Sequence, residues 1–369
     1  MSEHDLPVIS EVRNGIGHLT LNRPAGLNAL SLPMIRLLDQ HLKAWEKDPK
    51  VLAVVLRANG EKAFCAGGDI RMLYESHLGG DNQHFVFLSE EYRLDQYIHH
   101  YPKPVLALMN GFVLGGGMGL VQGATFRVIT ESTRMGMPEV SIGFYPDVGG
   151  SYFLPRLPGK LGIYLALTGN HVRAADALYA SLADWCLKPE QLAELDHCLN
   201  NMNWTYNPRE DLRSLLATLA SERLPGAGLE AVRGAIDEHF SQLSVQAIVA
   251  SLKSEARPEF AEWAQETLQT LESRSPLAVA VTLELMQRGQ DKSLAECFAQ
   301  ELELAHAWFE RGDLIEGVRA LIIDKDKSPR WQQATIEQVQ QELVQSFFAT
   351  RPKSKPALRQ AAEPDERIR

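Results

Sequence analysis

Two glycine-rich turns carry the residue types best suited to chemistry, Phe64-Cys65-Ala66-Gly67-Gly68-Asp69 and Gly111-Phe112-Val113-Leu114-Gly115-Gly116-Gly117. Each follows an apolar run that reads as a buried strand, and each leads toward a helical segment. Main-chain N–H groups exposed at two such turns can converge on one oxygen and stabilise negative charge there. A third segment, Met137-Pro138-Glu139 through Tyr145-Pro146-Asp147-Val148-Gly149-Gly150, adds the carboxylates of Glu139 and Asp147 from a loop. Paired N–H donors with carboxylates beside them are the parts needed to work on an activated carbonyl, so acyl-group chemistry is the expectation. Taken singly, either turn is what glycine offers for tight bends and close helix–strand packing. Neither has GxGxxG or GxxxxGK[ST] spacing, so a nucleotide fingerprint does not account for them.

The elements that must hold these turns are partly legible. Val8–Val12 and Ile16–Leu21 flank Asn14-Gly15, the preferred dipeptide of a primed turn, and predict a hairpin over 7–22. Ser31 is placed to cap a helix running to about Trp45, with Met34, Ile35, Leu38, Leu42 and Trp45 on one face. Val51–Leu56, Pro104–Met109 and Phe126–Thr130 read as buried strands, and residues 84–100 as a helix stopped by Pro102 and Pro104. This alternation predicts an α/β core over 7–186 that carries the site. Segments 229–243, 261–271, 277–286 and 294–309 have helical apolar spacing, which predicts a helical C-terminal region over 187–349. Residues 350–369, rich in Arg, Lys, Pro and Glu, are expected to form a disordered tail.

Composition narrows the class. Of 369 residues 45% are hydrophobic and 23% charged, as in ordinary globular proteins. A formal net charge of -10 argues against a general nucleic-acid binder. The four cysteines (Cys65, Cys186, Cys198, Cys297) form neither a disulfide framework nor a CxxC pair, and no HExxH-type spacing exists, so no metal is expected. Cys65 reads as a small packed filler rather than a nucleophile. No apolar run matches a membrane span and the start is acidic and polar, so a cytoplasmic location is expected.

Phe64–Ile70, Asn110-Gly111 with Gly115-Gly116-Gly117, Pro138-Glu139 with Gly143, and Asn22-Arg23-Pro24 with Asn28-Ala29-Leu30 together resemble the signature of the crotonase (enoyl-CoA hydratase/isomerase) superfamily. Within it the chain is most similar to the 3-hydroxyisobutyryl-CoA hydrolase branch. Three stretches carry that similarity: Phe144–Leu157, Glu90-Glu91-Tyr92, and the run from Arg311-Gly312-Asp313 to Pro329-Arg330-Trp331. The resemblance implies a spiral of repeated ββα units with a helical C-terminal region. It also implies an acyl-coenzyme A thioester as substrate, with coenzyme A part of that substrate and no separate cofactor.

The same resemblance assigns roles. The thioester carbonyl would sit between the N–H groups of Gly68 and Gly116, with the loop from Ala66 through Asp69 to Ile70 near the nucleotide end. Glu139 would attack the thioester carbon or activate water. Asp147, otherwise an ordinary turn former, would hold a substrate 3-hydroxyl and orient Glu139 or water. Glu91 would reach the acyl pocket as a hydroxyl partner, although Glu90-Glu91 by itself reads as a solvated helix face. Hydratases of the superfamily carry a glutamate where this chain has Gly119, and no second acid is visible near that position. Its small size implies room for a branched acyl group or a differently placed water, unless it only eases helix packing. The resemblance thus favours a thioester hydrolase acting on 3-hydroxyisobutyryl-CoA in valine breakdown. An enoyl-CoA isomerase or hydratase, and a non-catalytic assembly protein that kept the fold, are the alternatives. Trimers or pairs of trimers are common in the superfamily, and the helical second half is the element that could cover such a surface.

Overall fold

In the computed structural model of the protein, which describes residues 6–349, Asn14 and Gly15 take left-handed φ values of 47° and 74°. That is the conformation a primed turn requires. It joins β1 (Val8–Arg13) to β2 (Ile16–Leu21) as an antiparallel hairpin. In α1 (Leu32–Lys47), Met34, Ile35, Leu38, Leu42 and Trp45 are buried on one face as expected. Ser31 stands at the N-cap, but its side chain makes no capping hydrogen bond; a proline in the first turn presets the helical backbone instead.

Three strand pairs follow, each with its helices. β3 (Ala53–Ala58) and β4 (Ala63–Cys65) lead to α2 (Ile70–Gly79) and α3 (Gln83–His99). β5 (Val105–Met109) and β6 (Phe112–Leu114) lead to α4 (Gly116–Gln122). β7 (Phe126–Thr130) and β8 (Arg134–Gly136) lead, past a 3-10 turn at Glu139–Ile142, to α5 (Gly150–Phe153) and α6 (Leu161–Thr168). β9 (Val172–Arg173), α7 (Ala174–Tyr179) and β10 (Trp185–Leu187) complete this half. The first strand of each pair joins a sheet of order β1-β2-β3-β5-β7-β10, and the second joins a sheet of order β4-β6-β8-β9. Pairing is parallel except at β1/β2 and β8/β9. The chain therefore winds as a spiral of ββα turns, the fold the resemblance implies. The second strands, three residues each, are too short to leave a period in the sequence.

Among the described residues no strand follows β10. Helices continue as α8 (Gln191–Asn201), α9 (Pro208–Leu219), α10 (Gly228–His239), α11 (Val245–Lys253), α12 (Pro258–Glu272), α13 (Pro276–Gly289), α14 (Leu294–Arg311), α15 (Leu314–Val318) and α16 (Gln341–Phe347). A full capping box, Ser293 with Glu296, starts α14. Two cores explain why β3, β5 and β7 read as apolar on both faces. Leu195, Leu199, Leu212 and Leu216 of α8 and α9 cover one face of the large sheet, against Val55, Leu106 and Val128. On the other side a larger core joins Val54, Ala107 and Ile129 to Leu285 and Met286 of α13 and Phe298 and Trp308 of α14. The tail expected over 350–369 lies outside the described residues.

Candidate active site

The two glycine turns meet. Gly67 (φ 111°) and Gly115 (φ 50°) adopt backbone angles that favour glycine. Leu30 N–H donates to the Gly67 carbonyl at 2.8 Å, Asp69 N–H to the Leu30 carbonyl at 2.9 Å, and Gly115 N–H to the Gly136 carbonyl at 3.1 Å. These bonds pin both turns and leave the amides of Gly68 and Gly116 without a main-chain acceptor among the described residues. A Cβ placed on Gly116 would lie 3.3 Å from Gly68 N, and one on Gly67 would lie 3.9 Å from Gly116 N. A side chain at Gly116 would crowd the Gly68 amide and collide with Glu91 Oε1, 2.5 Å from its Cβ.

Glu139 opens the 3-10 turn that Gly143 closes at φ 71°. Its Oε1 lies 2.6 Å from where a Cβ on Gly115 would stand, and its Oε2 is buried without a hydrogen-bond partner. Burial first, and then the nearby Asp147, hold its carboxyl well above the usual range. Asp147 accepts a 2.5 Å hydrogen bond on Oδ2 from the Tyr92 hydroxyl. Burial pushes the Asp147 pKa up to about 7, against the opposing pull of that hydroxyl.

On α3, Glu90 and Glu91 part company. Glu90 pairs with Arg36 at the surface through bonds of 2.8 and 2.9 Å. Glu91 is only 2% exposed, its Oε1 lacks a partner, and that oxygen is 2.5 Å from where a Cβ on Gly116 would be. Burial, then Asp147 and Glu139, raise its pKa well above normal. One turn further on, Asp95 is fully buried with both oxygens unpartnered. Burial and then Glu91 push its pKa up as well.

Glu139, Asp147, Glu91, Gly68, Gly116 and Ala66 thus line one cavity of about 200 Å³, with apolar walls from Phe87, Leu88 and Phe144. Leu314 and Ile322 close it from the C-terminal region. Two further candidate residues, Asp69 (expected toward the nucleotide end) and Gly119 (expected to open acyl space), lie outside this cavity. Asp69 caps α2, accepting from Met72 N–H at 3.3 Å, and lies 3.7 Å from Arg23; its carboxylate is spent on the helix start and does not line the cavity. Gly119 does not line it either. A Cβ there would meet Asp95 Oδ2 at 2.5 Å and Val148 Cβ at 2.6 Å, so the space is already filled and the residue serves close packing. The expectation that no second acid stands near Gly119 is corrected with it: Asp95 arrives from α3 rather than from α4.

Asp95 and Glu301 are two buried acids beside the site that sequence patterns alone leave unassigned. Both left a signal. Phe87, Leu88, Glu91, Asp95 and Ile98 share one helical stripe, as do Cys297, Phe298, Glu301, Leu304 and Trp308. An acid on an apolar stripe is a buried acid. Cys65 is buried, donates to the Gly67 carbonyl at 3.6 Å, and has its thiol pushed up to about 12 by burial. Among the described residues no group of three or more His, Cys, Asp or Glu is disposed to hold a metal ion, and no helix is long and apolar enough to cross a membrane.

This spiral of ββα turns with paired free amides facing buried carboxyls defines a crotonase-type protein. The model of the enoyl-CoA hydratase/isomerase family matches residues 16–348, and the chain belongs to that family. Among characterised relatives, the mitochondrial 3-hydroxyisobutyryl-CoA hydrolase of Gallus gallus is 40% identical over 349 residues, covering 92% of this chain and 88% of that protein. The Homo sapiens protein of the same name is 38% identical over 346 residues, with 92% and 88% covered. Among solved structures, a carnitinyl-CoA dehydratase from Mycobacterium thermoresistibile matches with a TM-score of 0.85 at 36% identity, covering 94% of this chain and 97% of that one. An enoyl-CoA hydratase from Rhodobacter sphaeroides gives 0.82 at 36% identity, covering 93% and 97%.

Proposed function

We propose that this protein hydrolyses 3-hydroxyisobutyryl-CoA to 3-hydroxyisobutyrate and free coenzyme A. The observation that carries the chemistry is the Glu139 carboxyl, buried against the Gly115–Gly116 turn with Oε2 free and with the unpaired amides of Gly68 and Gly116 beside it. The choice of acyl group rests on the relatives' activity and on the hydroxyl-binding capacity of Glu91 and Asp147.

In this reading the thioester carbonyl oxygen takes hydrogen bonds from Gly68 and Gly116, which stabilise the oxyanion as the carbon becomes tetrahedral. Glu139 either takes a proton from the attacking water or bonds to the carbon itself and is released by water from the anhydride. The carbon–sulfur bond breaks in either case, and the thiolate needs a proton. Asp147, with a pKa of about 7, holds one near neutrality, and its charge acts on Glu139 in the same cavity. A carboxyl raised by burial is also a stronger base than one in water, which suits Glu139 to proton transfer.

The solved relatives carry dehydratase and hydratase names, so the decisive assay offers both reactions. Purified protein should release thiol from 3-hydroxyisobutyryl-CoA and leave the double bond of crotonyl-CoA largely intact. Rapid hydration without thiol release would overturn the proposal. A single turnover in ¹⁸O-water separates the two routes, because only the anhydride can leave label on Glu139.

A further inference from the structure

We propose that Glu301, from α14, is a positioning residue that sets Asp147 at the cavity. The inference rests on the reading of Asp147 above. Asp147 sits in a turn the backbone does not favour: Val148, a β-branched residue, is held at φ 50°, and Gly149 follows at φ 85°. Such a conformation persists only where its surroundings over-determine it. Glu301 supplies the determination from both sides. Its Oε2 accepts from Gly149 N–H at 2.8 Å, and its Oε1 accepts from Ser151 N–H at 2.9 Å and from Ser151 Oγ at 2.5 Å. Its main-chain carbonyl accepts from the Tyr145 hydroxyl at 2.8 Å. One residue thus holds the chain two positions before Asp147 and two and four positions after it.

A role in general stability is a poor account of this arrangement. Glu301 is fully buried, and an acid taken out of water is a costly way to fill a core that apolar side chains would fill as well. All its side-chain bonds go to the end of the strained turn and the start of α5 rather than to α14 or α13. A carboxyl group can accept from both main-chain amides at once, one on each oxygen. A carboxamide cannot, since its nitrogen would face one of the N–H groups.

Glu301→Gln therefore keeps the volume and loses one anchor. A misplacement on the order of 1 Å can cost about 100-fold in rate, so the variant should lose about tenfold or more in kcat while KM moves by less than about threefold. In an Asp147→Asn background the same substitution should change kcat by less than about twofold, because the group it positions is gone. Amide hydrogen exchange at Gly149 and Ser151 should rise in Glu301→Gln. Unchanged kcat, or a loss that multiplies fully onto Asp147→Asn, would overturn the inference. Should Glu301→Gln fail to fold, Ser151→Ala removes one of the three donors and should lower kcat at constant KM; wild-type kcat there overturns it equally. Absence of thioester hydrolysis by the unaltered protein defeats the proposed function. The exchange readout stands apart from it: raised exchange still supports the clamp, and unchanged exchange sinks it.

Discussion

At the scale of single residues the site is a problem in desolvation. Five carboxyls, Glu91, Asp95, Glu139, Asp147 and Glu301, are buried together, and burial is the leading cause of the upward pKa shift in every one. Such acids titrate above the usual carboxylate range, and Glu139 acts as base or nucleophile from its ionised form. Glu139→Gln keeps the shape and removes the base or nucleophile. Turnover should fall by about 10²- to 10⁴-fold with KM within about threefold of the parent, measured by steady-state thiol release. Parental turnover in that variant would remove Glu139 from the mechanism. Sequence order offered Glu139 and Asp147 as loop carboxylates, and the crotonase resemblance singled them out as site residues. It did not show that Tyr92 would donate to Asp147, since the two residues lie on elements that meet only in the folded chain.

At the scale of elements, α3 and α4 decide the site together. Gly116, Gly117 and Gly119 strip α4 of side chains on the face that receives Glu91, Cys65 and Asp95. The close approach puts two carboxyls where larger residues on α4 would exclude them. Gly119→Ala tests the fit. Its Cβ lands 2.5 Å from Asp95 Oδ2 and 2.6 Å from Val148 Cβ, so it should destabilise the protein by about 1–3 kcal/mol in denaturant titration. Activity should fall as well, because Val148 adjoins Asp147. A variant as stable and active as the parent would show that the packing has slack. The glycines were visible in the sequence; that Gly119 packs rather than opens a pocket was not, because the side chains filling the space come from residues 95 and 148.

At the scale of the whole molecule, the C-terminal helices are part of the site. Leu314 and Ile322 wall the cavity, and Glu301 buttresses the Asp147 turn. The buried acids also tie overall stability to pH. Asp147 and Glu301 titrate at about 7 and about 8 in the folded protein, and an unfolded acid titrates near 4. A folded pKa raised in this way gives stability that is complete below the unfolded value and is lost as pH rises through the folded one. The thermal midpoint should therefore decline between about pH 6.5 and pH 9, as followed by circular dichroism. The buried histidines His18 and His99, held down to about 4, act in the opposite sense below about pH 6.5, and the lowered carboxyls, such as Glu316 at about 2, act only at more acid pH. A midpoint that climbs across that interval would contradict the buried-acid picture.

By itself the sequence determined what is local: the Asn14-Gly15 turn, the apolar runs of β3, β5 and β7, the long amphipathic helices of the second half, and the glycine and acid motifs that resemble the crotonase superfamily. Those signals depend on neighbours a few positions away and survive in any context. Only the tertiary structure decided that Glu91 is buried while Glu90 is solvated, that Asp69 is a helix cap, that Asp95 fills the space beside Gly119, and that Glu301 grips residues 149 and 151. Periodicity tells which face of a helix turns inward and says nothing of what it meets there. The charge state of an acid depends on that meeting, because both its lost water and its new neighbours are supplied by segments 55 to 152 residues away.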